Sequence, residues 1–265
     1  MNRIQQRLDA LASSDQKALV SYVVAGDPDH EATLAVMHSL VDAGTDILEL
    51  GVPFSDPSAE GPVIQLAHER ALATKTGMRQ VLSIVARFRT TDQQTPVVLM
   101  GYANPIEWMG YSEFCKAAVE AGVDGVLIVD IPPEEARDIN AALKNHGLYN
   151  VFLIAPTTTD KRIKEICDFA SGFLYYVSLK GVTGSGALDI KSVEAKVADI
   201  RKYTKLPICV GFGIKNVESA AAVSQVANGV VVGSAFVDLL SSSPTVNQGI
   251  EAVSVLAKDM KDAIS

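Results

Sequence analysis

Two hydrophobic rhythms alternate along this chain. Short runs rich in β-branched residues recur at 18–24, 47–51, 96–101, 125–129, 150–154, 173–177, 207–211 and 229–233, and between them apolar residues return every three or four positions. The first rhythm predicts strands and the second helices, so the chain reads as eight βα units built around a parallel sheet. Val126-Leu127-Ile128-Val129 and Gly229-Val230-Val231-Val232 are apolar without interruption, the pattern of strands covered on both faces.

The stretch Val41-Asp42-Ala43-Gly44-Thr45-Asp46-Ile47 is echoed by Val119-Glu120-Ala121-Gly122-Val123-Asp124-Gly125. Each predicts a helix that ends on a glycine cap and turns within a few residues into the next strand. Eight such units close into a (β/α)8 barrel, the TIM-barrel fold. A doubly wound open sheet would carry a GxGxxG turn after its first strand, whereas strand one here ends in Ala25-Gly26-Asp27-Pro28. Ile4, Leu8 and Leu11 share one face of a short N-terminal helix, which is expected to close the bottom of the barrel. No Pro/Gly/Ser-rich linker interrupts the chain, and residues 245–264 are periodic enough for a last helix, so one domain over 1–265 is expected.

Composition narrows the class. The 265 residues match the roughly 250 that such a barrel needs, and 48% hydrophobic with 20% charged residues argues against disorder. A net charge of −8 disfavours a nucleic-acid partner, which needs a basic face, but does not exclude one small anion held locally by backbone N–H groups. The N-terminal segment is unlike a signal peptide and no run is apolar for a membrane span, so a cytoplasmic location is expected. Cys115, Cys167 and Cys209, odd in number and far apart, fit neither a disulfide framework nor a zinc site.

In this fold chemistry belongs at the C-terminal ends of the strands. His30, His38, His68 and His146 all fall in or beside predicted helices, which argues against a histidine base or a metal, and the one lysine placed near a strand end is Lys180. Glu49 stands apart, a carboxylate among Ile47, Leu48, Leu50 and Gly51. It is either a paired rim glutamate or an acid whose proton affinity is raised by apolar surroundings. The following loop adds Asp56, a natural turn former before Pro57, and Glu60. Gly211-Phe212-Gly213 follows strand seven and Gly233-Ser234 follows strand eight, where barrels commonly bind phosphate; the alternative is a pair of tight turns. The loop 180–187 has the glycine content of a lid. Tyr22, Tyr102, Tyr175 and Phe212 sit in or just after strands, as core residues or as the walls of a flat apolar ligand site.

The string Leu48-Glu49-Leu50-Gly51-Val52-Pro53-Phe54-Ser55-Asp56-Pro57, then Gly61-Pro62 and Gln65, resembles the signature of the tryptophan synthase alpha family. Ala25-Gly26-Asp27-Pro28, Asn104-Pro105, Gly181-Val182-Thr183-Gly184, Gly211-Phe212-Gly213 and Gly233-Ser234 resemble it in the same order. The resemblance implies a lyase that splits indole-3-glycerol phosphate into indole and glyceraldehyde 3-phosphate. It implies Glu49 as the acid that protonates indole C3 and Glu60, at the position of the second acid, as the group that stabilises the positive indolenine nitrogen and takes its proton. It places Tyr22, Tyr102, Tyr175, Thr183 and Phe212 around the substrate and Gly184, Gly213, Gly233 and Ser234 around its phosphate. Pro53, Asp56, Pro57 and Gly181 match segments that face a beta subunit in an α2β2 complex; pyridoxal phosphate belongs to that partner, and no cofactor is implied here. The family's second acid is normally aspartate, with leucine two residues before it, whereas this chain has Glu60 and Ser58. Two other readings stay open: an allosteric scaffold for the beta subunit with weakened catalysis, and a different phosphate-binding barrel such as an isomerase or epimerase.

Overall fold

The computed structural model describes residues 1–178, 189–211 and 213–265. Its strands are β1 (Ala18–Val24), β2 (Ile47–Gly51), β3 (Val97–Gly101), β4 (Gly125–Ile128), β5 (Tyr149–Ile154), β6 (Leu174–Val177), β7 (Ile208–Gly211) and β8 (Gly229–Val232). The helices are α1 (Arg3–Ser13), α2 (His30–Asp42), α3 (Pro62–Ala73), α4 (Met78–Phe88), α5 (Ala103–Met109), α6 (Tyr111–Ala121), α7 (Arg137–Asn145), α8 (Asp160–Phe169), α9 (Ile190–Arg201), α10 (Val217–Ser224), α11 (Ser234–Ser242) and α12 (Val246–Ile264). Every strand pairs in parallel with its neighbours in chain order and β8 returns to β1, closing the barrel.

The expected strands are all present; β1 and β2 keep their expected bounds and each of the others moves one edge by one residue. Runs expected to begin at Pro96 and Pro207 begin instead at Val97 and Ile208, since proline has no N–H to give a ladder. Gly233, expected in the last strand, caps α11, while Tyr149 joins the start of β5.

Alternation along β2 decides what reaches the barrel interior. Ile47 packs inside with Val20, Val98, Leu127, Val151, Phe173, Cys209 and Val231, while Leu48 and Leu50 pack outward against the helices. Glu49, two residues beyond Ile47, therefore faces inward, one layer nearer the C-terminal mouth.

The opposite end is closed by α1, as its apolar stripe predicted: Ile4, Leu8 and Leu11 are buried in that same interior cluster. Asn2 caps the helix by accepting from the Ile4 N–H at 2.9 Å. Arg3 and Arg7, one turn apart on α1, tie down the two echoed joints. Arg7 Nε donates to Asp46 Oδ1 at 2.9 Å and Arg3 Nη1 to Asp124 Oδ1 at 2.9 Å. The second oxygen of each aspartate accepts a strand-start N–H, Leu19 for Asp46 at 2.7 Å and Val97 for Asp124 at 2.9 Å. Among the described residues no helix is long and apolar enough to cross a membrane, and no cluster of His, Cys, Asp and Glu could hold a metal ion.

Candidate active site

At the C-terminal mouth lies a mainly apolar cavity of about 400 Å³. Seven of the residues expected at the site line it: Tyr22, Glu49, Glu60, Tyr175, Gly213, Gly233 and Ser234. Met100, Leu153, Val177, Ile214 and Val231 are among its apolar walls. Strands β1, β2, β3, β5, β6 and β8 thus deliver one or two side chains each to a common space, while the turns after β7 and β8 supply backbone. Gly213 has a φ of +81°, a left-handed conformation that glycine adopts without strain.

Glu49 is 1% exposed, and its Oε1 has no hydrogen-bond partner. Burial pushes its pKa up to about 8, so at neutral pH it carries a proton rather than a charge. A buried acid without a partner is costly, and among the described residues Glu49 forms no ion pair, which argues against the paired-rim alternative.

Glu60 is held differently. Its carboxylate accepts a hydrogen bond from the Tyr102 hydroxyl, whose oxygen in turn accepts the Ala59 N–H at 2.9 Å. Burial raises the Glu60 pKa and the Tyr102 bond works against that rise, favouring the ionised form. Tyr102 also stacks on Phe54, with ring centroids 4.7 Å apart. Tyr102 therefore stands behind Glu60 and is not part of the cavity lining.

The remaining expected residues divide. Pro53 is buried within the chain, Asp56 is exposed and Pro57 is partly exposed, and none of the three lines the cavity. Gly181, Thr183, Gly184 and Phe212, together with Lys180, lie outside the described residues.

Two residues at the mouth escaped the reading of the sequence. Lys215, four residues beyond β7, lines the cavity, so Lys180 is not the one lysine near the strand ends. Its signal was its place in the glycine turn, Gly211-Phe212-Gly213-Ile214-Lys215. His68 is buried on the inner face of α3, where its Nδ1 accepts the Phe54 N–H at 3.1 Å and its Nε2 lies 3.4 Å from the Tyr22 hydroxyl. Its signal was a polar residue between Ala67 and Ala71 on a face of small residues. Placement in a helix did not keep it from the site.

Comparison with known proteins adds the family. The family described as tryptophan synthase alpha chain matches residues 8–265. The chain is similar to the tryptophan synthase alpha chain of Thioalkalivibrio sulfidiphilus, 54% identical over 265 residues with all of both chains covered. It is likewise 53% identical to that of Neisseria meningitidis serogroup B over 266 residues, again covering all of both. The crystal structure of tryptophan synthase subunit alpha from Legionella pneumophila superposes with a TM-score of 0.93 at 46% identity, covering 100% of this chain and 98% of the other. A chain of tryptophan synthase from M. tuberculosis in its aminoacrylate-bound form gives a TM-score of 0.89 at 30% identity, with both chains fully covered. A closed parallel barrel, an unpartnered buried acid at its mouth and this likeness along the whole length agree, and the chain belongs to the tryptophan synthase alpha chain family, a lyase subunit of the tryptophan synthase reaction.

Proposed function

We propose that the cavity binds indole-3-glycerol phosphate and that Glu49 and Glu60 divide the work of splitting it. The observation that carries this reading is Glu49: inward-facing, buried, unpartnered and protonated at neutral pH. A proton delivered from Glu49 to indole C3 breaks the aromaticity of the five-membered ring and places positive charge on the ring nitrogen. The bond from C3 to the glycerol chain then cleaves, its electron pair returning to the ring. The carbinol O–H gives its proton to the Glu49 carboxylate and becomes the aldehyde of glyceraldehyde 3-phosphate, so the acid is restored.

Glu60, oriented by Tyr102, accepts a hydrogen bond from the indole N–H and stabilises the charge that develops there. Tyr175 and the apolar walls enclose the substrate, and Gly213, Gly233 and Ser234 supply neutral donors for the phosphate at the N-terminus of α11. Lys215 adds a cation to the same cavity. The whole chain, 1–265, works as one domain in the cytoplasm without a cofactor of its own. It passes indole to a pyridoxal-phosphate-dependent beta subunit in an α2β2 complex, with exposed Asp56 and part of Pro57 on the face presented to that partner. Indole release from indole-3-glycerol phosphate by the purified chain tests the reading. Activity that vanishes in Glu49→Gln while substrate still binds supports it; no indole from the wild type, alone or with a beta subunit, favours the scaffold instead.

A further inference from the structure

A backbone N–H can only donate, so the bond from Phe54 N to His68 Nδ1 settles the state of the imidazole. Nδ1 is the acceptor, and the proton of the neutral ring resides on Nε2, which faces the Tyr22 hydroxyl. Burial lowers the His68 pKa to about 4, so this neutral form persists through the physiological range.

Tyr22 is fixed on three sides. It pairs in register with Glu49, its hydroxyl covers Gly51 so closely that a Cβ there would collide with it, and its ring lies against Gly233, where an added Cβ would approach to 3.2 Å. Arg70, half a turn beyond His68, forks onto Asp27 at 2.7 and 2.8 Å and locks α3 to the loop after β1. The imidazole is therefore held by both elements it joins.

We infer that His68 is a positioning residue of the reaction: by donating Nε2–H to the Tyr22 oxygen it turns the Tyr22 proton into the cavity, as a hydrogen-bond donor to a hydroxyl of the substrate's glycerol chain. His68 is the one hydrogen-bond partner of the Tyr22 hydroxyl among the described residues, so the tyrosine proton has no competing protein acceptor there. The lining around it is mainly apolar, which leaves a polyol few other donors. The same ring also reaches the second acid. It holds Phe54, which stacks on Tyr102, which donates to Glu60.

The inference rests on the assignment of the cavity to indole-3-glycerol phosphate, and a double-mutant cycle separates the two. Steady-state kinetics with that substrate are measured for Tyr22→Phe, His68→Asn, the double variant and His68→Gln, beside their thermal unfolding. Asparagine keeps an acceptor near Nδ1 for Phe54 but cannot reach Tyr22; glutamine places an amide N–H near Nε2. Tyr22→Phe and His68→Asn are each expected to lower kcat/KM roughly ten-fold, the loss of one hydrogen bond, and the double variant no further. His68→Gln recovers most of the activity. Losses that multiply in the double variant, with no recovery by glutamine, mark His68 as merely structural and overturn the inference. Should His68→Asn fail to fold, Tyr22→Phe decides alone, because full activity without the hydroxyl overturns it as well. Glu49→Gln serves as the control: turnover surviving there sinks the site assignment, whereas turnover lost there with Tyr22→Phe unimpaired sinks the inference about His68 only.

Discussion

Asp46, just before β2, and Glu49, midway along it, stand three residues apart, both buried, and are neutralised in opposite ways. Asp46 is surrounded by donors: Arg7 on one oxygen, Lys261 at 2.9 Å and the Leu19 N–H at 2.7 Å on the other. Glu49 forms no ion pair among the described residues and is neutral because it keeps its proton. The bottom of the barrel uses carboxylates as struts, joining α1, α12 and the start of β1. The top leaves one unsatisfied, and a group that a folded chain leaves unsatisfied is free to react. Asp124 repeats the strut on β4, with Arg3 and Arg89 as its cations at 2.9 and 2.8 Å, and no acid faces inward at the top of that strand.

The sharpest way to break this contrast is Glu49→Gln, which keeps the shape and removes the proton. Turnover should fall by at least about 100-fold, the scale of general acid catalysis, while the fold gains stability. The gain depends on pH in a definite direction. The folded pKa of Glu49, about 8, lies above the ordinary carboxylate value near 4.5, so its contribution is fully present below 4.5 and is lost as pH rises to 8. The amide has no such loss, and the two proteins should diverge by up to about 1.4 kcal/mol per pH unit across that window. Thermal unfolding at pH 5, 6.5 and 8 measures it; a gap that stays constant would show that Glu49 is not buried as an acid.

Asp46→Ala should do the reverse. It strands Lys261 and the Leu19 N–H in a buried joint, and breaking such a network costs about 3–5 kcal/mol. The kcat of the molecules that remain folded should be unchanged. Denaturant unfolding with parallel active-site titration checks both halves, and a large drop in kcat per folded molecule would mean that the joint before β2 is coupled to Glu49.

A smaller effect separates the acids from each other. With Glu49 as the proton donor, kcat should decline above pH 8 as the acid ionises, and this limb should be set by Glu49 alone. A pH–rate profile of Tyr102→Phe tests it: the basic limb should stay in place while the plateau drops. Movement of the limb in that variant would assign it to Glu60.

How far the sequence showed this contrast depends on the distance of the partners. Glu49 was legible because everything that makes it unusual, the apolar strand around it, is local. The aspartates of the echoed joints were visible as a repeated pattern, but their function as struts was not, since Arg7 and Lys261 lie 39 and 215 residues from Asp46. Barrel closure brings them together, and no local rhythm reports it. His68 was set aside for the same reason: helix position tells which residues share a face, not which strand that face meets. The strand edges at Pro96 and Pro207 were a different miss, one that the missing proline N–H should have corrected.

The smallest predicted effect concerns the length of the second acid, where the structure gives the pair of Ser58 and Glu60 a shared point of attachment. The Ala59 N–H donates to the Tyr102 oxygen, the Ser58 side chain is a polar neighbour of the same phenol that works to lower its pKa, and Tyr102 donates to Glu60. The loop is thus folded around one phenol, with the longer acid reaching it from one side and the serine from the other. Shortening the acid in Glu60→Asp withdraws the carboxylate by about one bond length from both Tyr102 and the indole nitrogen, and kcat should fall by roughly ten-fold or less, since a displacement near 1 Å can cost as much as 100-fold. Ser58→Leu removes the opposing contact and should cost less. Because both substitutions act through the same hydroxyl, their effects on kcat should not add, and the double variant should lie closer to Glu60→Asp than the product of the two losses. Strictly multiplicative losses would show that Ser58 and Glu60 act independently and that Tyr102 is not their common support.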